Sequence, residues 1–362
     1  MRALFYYTAP GWSGSARAFA AAARGLVARG EPVTVACCAD TPAEQSFARE
    51  GIEVVALPSG GTVAGDAYRL RTVLRERFVE VVFLHTEREQ LVASSALRMA
   101  ERGAIIRRVP AGQIATHGRA TKLANRFASS RLLFATAEDR ARTPGAGGEF
   151  LAPLGVDVSK VDGIRATART SLGIDMDTQL IVCVTGGAAR IRAGTALRTL
   201  ALLAARHPDL RLALVGQGAD QEDVHMHAAA LGVSPLVYFL GERDDLPIVL
   251  AAADVGWVAA DGDDAGFACL DFMAARVPIV SERSPLVSHY VPDGIAGVLL
   301  PPADPSDTAA AVASFLSHGD QRDAMGRAGR TRAQRDFGEA PMIDGFFSAA
   351  EAAGDRASWA AR

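Results

Sequence analysis

Short apolar runs alternate with longer, alanine-rich runs along the whole chain. In the first part, helical periodicity follows each of four apolar runs, and a fifth apolar run, LLFATA, lies at 132–137. The four runs are RALFYY, PVTVAC, IEVVAL and VEVVFLH, and the helices predicted after them cover 14–29, 42–49, 66–77 and 88–102. Strands that are apolar throughout are typical of a parallel sheet covered by helices on both faces, so the pattern predicts an α/β fold.

A glycine- and proline-rich stretch, TPGAGGEFLAPLGVD, interrupts the alternation and suits a connection between domains. A second series of strands and helices follows it. Its strands are QLIVCVTGG, RLALVGQG, VYFLG, VGWVAA, PIVSE and GVLLPP, and its helices cover 194–206, 220–231, 245–252, 267–276, 305–317 and 319–334, with a last helix in APMIDGFFSAAEAA. We predict two Rossmann-like, doubly wound domains, 1–155 and 156–335, which face a central cleft at the carboxyl ends of their strands, where such sheets bind ligands.

Composition narrows the class of protein. The 362 residues are 49% hydrophobic and 22% charged, and their net charge of −3 argues against a nucleic-acid partner. None of the four cysteines lies in a C-x-x-C pair or near a histidine at ligand spacing, so neither a disulfide framework nor a zinc site is expected. A reducing, cytoplasmic setting follows. The N-terminus indicates a first strand rather than a signal peptide, and no uncharged run of 18 apolar residues predicts a membrane span.

The stretch DDAGFACLDFMAARVP, at 263–278, carries the strongest chemical signal. It follows the strand VGWVAA, and we expect its helix to begin near Gly266 or Phe267. The amides at a helix start favour an anion, most often a phosphate. Asp263 and Asp271 would repel that phosphate unless they accepted hydrogen bonds from hydroxyl groups beside it, such as those of a sugar and a ribose. By itself, Asp263 is equally consistent with a helix cap.

This stretch resembles the donor site of the retaining GT-B glycosyltransferases (family four-like, "glycosyl transferases group 1"). That family has two glutamates separated by seven residues, followed by runs similar to FMAARVPIV and VPDGIAGVLLPPADPSD. GWSGSARAFAAAARGLVARGEPVTV resembles the N-terminal glycine loop and first helix of the family, and LAPLGVDVSKV its interdomain segment. The resemblance covers nearly the whole chain and implies that the last helix, 336–362, packs back toward the N-terminal domain.

The resemblance also implies roles for individual residues. Asp271 would hold the ribose hydroxyls of the nucleotide, and Asp263 would contact the donor sugar. The backbone amides of Gly266, Phe267 and Ala268 would meet the diphosphate. Gly241, Glu242 and Leu246 would line the pocket for the base.

Two departures from the family pattern concern the charges of this site. Both family glutamates are aspartates here, which moves each carboxylate back by about one bond. The family's arginine and lysine, in the pattern GR…KG, correspond to TGGAARIRAG, with Gly187 at the arginine position. Depending on which glycine is aligned, Arg192 or Ala193 falls at the lysine position. Only two of the 38 basic residues are lysines, so Arg192 is a natural substitute for the missing lysine, and Arg190 could supply the second charge. The alternative is that both are surface arginines.

In the N-terminal domain, Gly11 and Gly14 would let the backbone approach a ligand at the start of helix 14–29. The loop lacks the G-x-G-x-x-G pattern of a dinucleotide site. His85 ends the fourth strand, where the family often has a histidine that touches the donor sugar; a histidine that merely caps a strand is the alternative. Glu87 is a weaker candidate.

Residues 103–136 contain no acidic residue but have several cations: Arg107, Arg108, Arg119, Lys122, Arg126 and Arg131, with His117. The family usually binds its acceptor in this domain, so the segment could meet anionic lipid headgroups at the inner face of a membrane. A solvated basic face is the alternative.

The resemblance therefore implies a metal-independent, retaining glycosyltransferase without a cofactor. It would transfer a sugar from a nucleoside diphosphate sugar, UDP before GDP, to a glycan, lipid-linked or small-molecule hydroxyl in surface polysaccharide or glycolipid synthesis. A GT-B protein that binds nucleotide or glycan without turnover, and a sugar-nucleotide epimerase of the same shape, are the alternatives.

Overall fold

The computed structural model describes residues 1–115, 118–144, 149–186, 189–301 and 304–360, and of 189–191 and 354–360 it describes the backbone only. The chain divides into two compact units. The first comprises Met1–Leu154 and the segment from Glu339 onward, and the second comprises Gly155–Gly338. The boundaries expected from the sequence were 155/156 and 335/336.

The first domain contains a parallel sheet of seven strands in the order β3-β2-β1-β4-β5-β6-β7. Its strands are β1 (Ala3–Tyr7), β2 (Val33–Cys38), β3 (Glu53–Leu57), β4 (Val81–Leu84), β5 (Ala104–Val109), β6 (Ser130–Phe134) and β7 (Phe150–Leu151). Its helices are α1 (Gly14–Ala28), α2 (Pro42–Arg49), α3 (Val63–Glu76), α4 (Glu87–Ala100), α5 (Arg119–Phe127) and α6 (Ala137–Arg142). The switch point of this sheet lies between β1 and β4, where the chain changes direction across the sheet.

Threonine caps fix where several of these helices begin. The side chains of Thr41, Thr62, Thr86 and Thr136 each accept a hydrogen bond from the backbone N–H three residues later. These caps satisfy amides that the first helical turn leaves unpaired. Each follows a strand, so the helix starts gather at the carboxyl edge of the sheet.

The second domain contains a parallel sheet of six strands in the order β10-β9-β8-β11-β12-β13, and its switch point lies between β8 and β11. Its strands are β8 (Gln179–Thr185), β9 (Leu210–Gly216), β10 (Val237–Gly241), β11 (Val255–Ala259), β12 (Ile279–Glu282) and β13 (Gly297–Leu300). Its helices are α7 (Arg165–Ser171), α8 (Ala189–Ala204), α9 (Glu222–Ala230), α10 (Leu246–Ala251), α11 (Gly262–Ala274), α12 (Pro285–Tyr290), α13 (Pro305–Ser317) and α14 (Gly319–Asp336). The predicted α/β class with two doubly wound domains is confirmed.

The last helix, α15 (Glu339–Ala360), belongs to the first domain. Its Phe346 ring lies 5.3 Å from Phe83 and 6.0 Å from Phe5, which itself stacks on Phe83 at 4.8 Å. Gly345 lies so close to the sheet that a Cβ atom there would be 2.1 Å from the carbonyl oxygen of Leu151. Aromatic packing and this close backbone approach therefore dock the helix on the core.

Strands β5 and β7 were not predicted from the sequence, and helices α3, α8 and α11 begin at least three residues before their predicted starts. Arg107 and Arg108 interrupt the apolar run of β5, yet both are buried, at 8% and 0% exposure. Helix α8 begins at Ala189 instead of residue 194, and α11 begins at Gly262 instead of Gly266 or Phe267. Among the described residues, no helix is long and apolar enough to span a bilayer.

Candidate functional site

The predicted acidic helix α11 begins directly beyond β11, at the switch point of the second sheet. Asp263 lies in its first turn and Asp271 in its third, and both side chains are almost fully buried, at 3% and 2% exposure. Both make contacts within the chain. Burying a carboxylate is costly unless hydrogen bonds or opposite charges compensate. Two such residues on one helix are therefore specific structural features and not a solvated helix face.

The earlier start of α11 changes which amides are available to an anion. Asp261 is the N-cap residue, and the amide of Ala265 already donates to the carbonyl oxygen of Asp261. The amides of 261–264 therefore precede the first hydrogen bond within the helix. The amides of Gly266, Phe267 and Ala268, to which the sequence assigned the diphosphate, lie within the helix, and the Phe267 and Ala268 side chains are buried in the core. The proposed phosphate contact moves to the first turn.

Arg192, on α8, reaches across the switch point to this same turn. Its Nη1 donates to the carbonyl oxygen of Ala259 at 3.0 Å, and its Nη2 donates to Asp261 Oδ1 at 2.7 Å. Hydrogen bonds thus connect the helix that follows β8 to the end of β11 and the turn after it. Asp261 was not predicted from the sequence as the partner of this arginine. Gly187 lies outside the described residues, and so does the side chain of Arg190.

A cavity of about 330 Å³ lies beside this arginine at the carboxyl ends of β11, β12 and β13. Its volume is at the lower end of the range for small-molecule sites. Trp257 and the apolar Val287 and Leu300 form part of its wall. Its polar lining includes Arg192, Thr195, Asp261, Glu282, Ser284 and Thr308.

The residues assigned to the base pocket lie elsewhere in the domain. Gly241 ends β10 at a register shift and has a positive φ of 60°, Glu242 is exposed, and Leu246 begins α10. Strand β10 is three strand spacings, roughly 14 Å, from β11. None of the three residues lines the cavity beside Arg192. The residues predicted for the base pocket therefore lie along the sheet from Arg192, outside the cavity beside it.

In the first domain, the glycine loop and His85 meet at the switch point between β1 and β4. Gly14 is the first residue of α1 and is buried, and Tyr7 Oη, at the end of β1, donates to the carbonyl oxygen of Gly11 at 2.9 Å. The His85 ring stacks on the Tyr7 ring at 5.2 Å, and its side chain is only 12% exposed. The loop after β1 and the residue after β4 are thus packed together.

Glu89 organises this junction, and the sequence analysis did not identify it. Its fully buried carboxylate accepts hydrogen bonds from the amides of Thr8, His85 and Thr86, at 2.7, 3.0 and 2.9 Å, and from Thr8 Oγ1 at 3.0 Å. His85 Nδ1 lies 2.9 Å from Glu89 Oε2. Burial alone would raise the pKa of Glu89, but the attraction of His85 and these hydrogen bonds lower it to about 2. The spacing T-x-x-E at Thr86 is a capping box and was the available signal.

Glu87, the weaker candidate, has a structural position. Its Oε1 accepts from Thr121 Oγ1 at 3.0 Å and lies 3.9 Å from Arg107 Nη1. It therefore connects the start of α4 to α5 and to β5.

The basic segment 103–136 is only partly a surface feature. Arg107 and Arg108 are buried in β5, and the Arg131 guanidinium lies over the Phe150 ring at 5.0 Å. The segment therefore does not form one continuous cationic face. Adjacent strand residues point to opposite faces of the sheet, and both faces are covered where Arg107 and Arg108 lie. The cations that remain exposed are Arg119, Lys122 and Arg126 on α5; His117 lies outside the described residues.

The chain has two doubly wound domains, each with a parallel sheet and with candidate residues at its switch point. These features define a protein of the GT-B fold class. The Anabaena protein HepE, solved in complex with UDP and glucose, has this architecture, with a TM-score of 0.77. The likeness covers 96% of this chain and 98% of HepE, at 19% sequence identity. At that identity, the likeness establishes the fold.

Residues 164–332 match the family model described as "Glycosyl transferases group 1". The second domain therefore belongs to this family. Over 183 residues, the chain is 31% identical to a D-inositol 3-phosphate glycosyltransferase of Corynebacterium kroppenstedtii, covering 47% of this chain and 40% of that protein. Over 199 residues, it is 32% identical to a GDP-mannose-dependent alpha-(1-6)-phosphatidylinositol monomannoside mannosyltransferase of Mycolicibacterium smegmatis, covering 52% of each. The chain thus spans about half the length of these relatives.

Proposed function

We propose that this protein transfers a sugar from a nucleoside diphosphate sugar to an acceptor hydroxyl with retention of the anomeric configuration. One observation carries the proposal: Arg192 and the start of α11 are held together beside a cavity at the switch point of a glycosyl transferases group 1 domain. A guanidinium beside the positive end of a helix dipole is suited to a diphosphate.

In this reaction, the chain's own charges stabilise the departing diphosphate. Arg192 and the amides of 261–264 supply positive charge where negative charge develops, and such preorganised groups are commonly the largest contribution to catalysis. Because they supply this charge, we propose that the reaction needs no metal. Asp263 would accept hydrogen bonds from the sugar, and Asp271 from the ribose. The leaving phosphate would take the proton of the acceptor hydroxyl.

UDP is the proposed carrier, and GDP is the alternative. HepE was solved with UDP and glucose, whereas the mycobacterial relative is named for its dependence on GDP-mannose. That relative acts on a phosphatidylinositol mannoside, which supports a glycolipid or polysaccharide acceptor for this chain. The proposed setting is the cytoplasm.

A thermal-shift screen with UDP-, GDP- and ADP-sugars tests donor binding, because a ligand that binds only the folded state raises its melting temperature. Transfer assays then compare the wild type with Asp271→Ala and Arg192→Ala, which we expect to lose at least 100-fold in turnover. The anomeric configuration of the product, determined by proton NMR, tests retention. Binding without turnover across a broad panel of donors and acceptors would establish a binding protein, and an altered sugar nucleotide formed without acceptor would establish an epimerase.

We further propose that α5 contacts an anionic membrane surface. Lys122 and Arg126 are exposed on this helix together with the apolar side chains of Leu123 and Phe127, which are 42% and 40% exposed. Exposed apolar side chains interleaved with cations suit the interface of an anionic bilayer.

Vesicle sedimentation tests this contact. Lys122→Glu with Arg126→Glu should abolish binding to vesicles that contain phosphatidylglycerol, while Arg98→Glu, at an exposed position on α4, should leave it unchanged. Equal binding of the double variant and the wild type would contradict the contact.

A further inference from the structure

A cavity of about 530 Å³ lies in the first domain, apart from the cavity beside Arg192 in the second domain. None of the residues proposed to bind the donor lines it. It lies at the carboxyl ends of β1, β2 and β3, beside the switch point of the sheet. Its polar lining includes Thr8, Thr41, Ser59, Asp66, Arg69 and Arg88. A cavity of this size with a few convergent polar groups is typical of a small-molecule site.

Two arginines of this cavity share one carboxylate. Arg88 Nη2 donates to Asp66 Oδ2 at 2.6 Å, and Arg69 Nη1 donates to Asp66 Oδ1 at 3.1 Å. The Asp66 side chain is only 11% exposed, whereas those of Arg69 and Arg88 are 41% and 47% exposed. The three groups together carry one excess positive charge. Their carboxylate is buried beneath guanidinium groups that remain open to a ligand.

Hydrogen bonds hold the Arg88 guanidinium at two points before a ligand arrives, and Asp66 orients that of Arg69. Arg88 Nη2 also donates to the carbonyl oxygen of Gly61 at 2.9 Å, and a Cβ atom at Gly61 would lie 2.2 Å from Asp66 Oδ1. The loop before α3 therefore packs directly against the carboxylate that orients both arginines. Each guanidinium has five N–H donors, and these hydrogen bonds use only some of them. Donors held in place in this way lose little entropy when they bind an oxyanion.

We propose that this cavity binds a small phosphate monoester with several hydroxyl groups, and that Arg69 and Arg88 hold its phosphate. A phosphate has three terminal oxygens and can accept from two guanidinium groups at once, which a carboxylate with two oxygens does less well. The volume exceeds what a phosphate alone would fill. The exposed Ser59 hydroxyl suits a hydroxyl group of the ligand, and Leu57 and Pro58 suit its carbon skeleton. The identification of this molecule as the acceptor rests on the proposed function; the binding itself does not.

Isothermal titration of the full chain, without a sugar nucleotide, tests the binding. The probes are myo-inositol 1-phosphate and glycerol 3-phosphate, compared with inorganic phosphate, myo-inositol and glycerate. We expect the phosphate esters to bind at least tenfold more tightly than the other three compounds. Arg69→Gln and Arg88→Gln should each weaken ester binding at least tenfold.

Arg71→Gln is the matched control. This residue lies on the same helix α3, but its Nε donates to the carbonyl oxygen of Met99 and its guanidinium lies over the Tyr68 ring. We expect wild-type affinity from this variant. Melting temperatures within a few degrees of the wild type would show that all three variants are folded.

Three results would overturn the proposal: no binding of the esters, equal binding by the Arg69 and Arg88 variants, or glycerate bound as tightly as the esters. Titration of UDP into the same preparations distinguishes a failure of this inference from a failure of the proposed function. If UDP binds and the esters do not, only the present inference fails. If the esters bind and no sugar nucleotide does, the proposed transferase activity fails and the cavity assignment stands.

Discussion

Arg192 Nη2 lies 2.6 Å from Asp261 Oδ2, so an ion pair connects the residues after β8 to the residue that caps α11. The two residues are 69 positions apart, and each follows one strand of the switch point. The Arg192 side chain is 30% exposed and that of Asp261 is 64% exposed, so the pair is accessible to a ligand. Asp261 therefore orients the guanidinium, and a diphosphate would take over part of its hydrogen bonding.

The first prediction concerns this ion pair. Arg192→Gln should lower kcat/KM for the donor about 100-fold, because it removes a charge aimed at the leaving group. Asp261→Asn should lower it only about tenfold, because the arginine remains but is less well oriented. Steady-state kinetics with a varied donor provide the measurement, and Arg206→Gln, at an exposed position just beyond α8, is the control. A larger loss from Asp261→Asn than from Arg192→Gln would contradict this ordering.

The second prediction tests the contact of Asp271 with the ribose. Asp271→Asn should weaken UDP binding about tenfold, because a charged acceptor contributes more than a neutral one. If the carboxylate contacts the 2′-hydroxyl, wild-type protein should bind UDP more tightly than 2′-deoxy-UDP, and the variant should bind both about equally. Titration calorimetry of each of the two proteins with each of the two nucleotides measures the coupling between Asp271 and the 2′-hydroxyl. Full discrimination retained by the variant would place the ribose elsewhere.

A third prediction follows from the buried carboxylate of Glu89. Its pKa is lowered from 4.5 to about 2, so its contribution to stability is complete above pH 4.5 and is lost as the pH falls toward 2. Glu89→Gln should cost about 2–4 kcal/mol at pH 7, because it leaves buried donors with a poorer acceptor. Urea unfolding should show that the difference from the wild type shrinks between pH 5 and pH 3. Glu76→Gln, at an exposed position in α3, should change little at any pH.

A fourth prediction concerns the docking of α15 on the first domain. Gly345→Ala would place a Cβ atom 2.1 Å from the Leu151 oxygen and 2.8 Å from Ala152 Cβ, so the helix must shift. We expect a loss of about 1–3 kcal/mol, as for other overpacked sites. Gly338→Ala meets no atom within 4 Å and should leave the urea midpoint unchanged or slightly raised. Equal midpoints for the two variants would contradict the described packing of this helix.

The periodicity of the chain was enough to predict both sheets. The apolar runs of β1, β2, β8, β9 and β11 mark buried parallel strands, and the intervening runs mark the helices. The same rule failed at β5, because Arg107 and Arg108 made a buried strand look like a basic loop. Arg107 is buried because Gln90 and Thr121 accept its hydrogen bonds, at 3.2 Å each, and both partners lie on other elements.

The start of α11 shows a similar limit at the site. The family resemblance predicted Asp263, Asp271 and Arg192 as site residues, but the sequence placed the helix start at least four residues too late. It did so because DGDD has the composition of a turn. Only the folded chain shows Asp261 as the cap of that helix and the partner of Arg192.

The α/β class and the two-domain architecture could be predicted from the amino-acid sequence, because strand burial and helix periodicity are local properties of the chain. The same pattern placed most of the candidate residues near the carboxyl edges of the sheets. Tertiary structure decided the partners: Asp261 with Arg192, Glu89 with His85 and Thr8, and Asp66 with Arg69 and Arg88. Most of these residues lie on different loops or helices, and strand order brings them together at the carboxyl edge of each sheet. Charge pairing depends on distance in space, and spacing along the chain does not determine that distance.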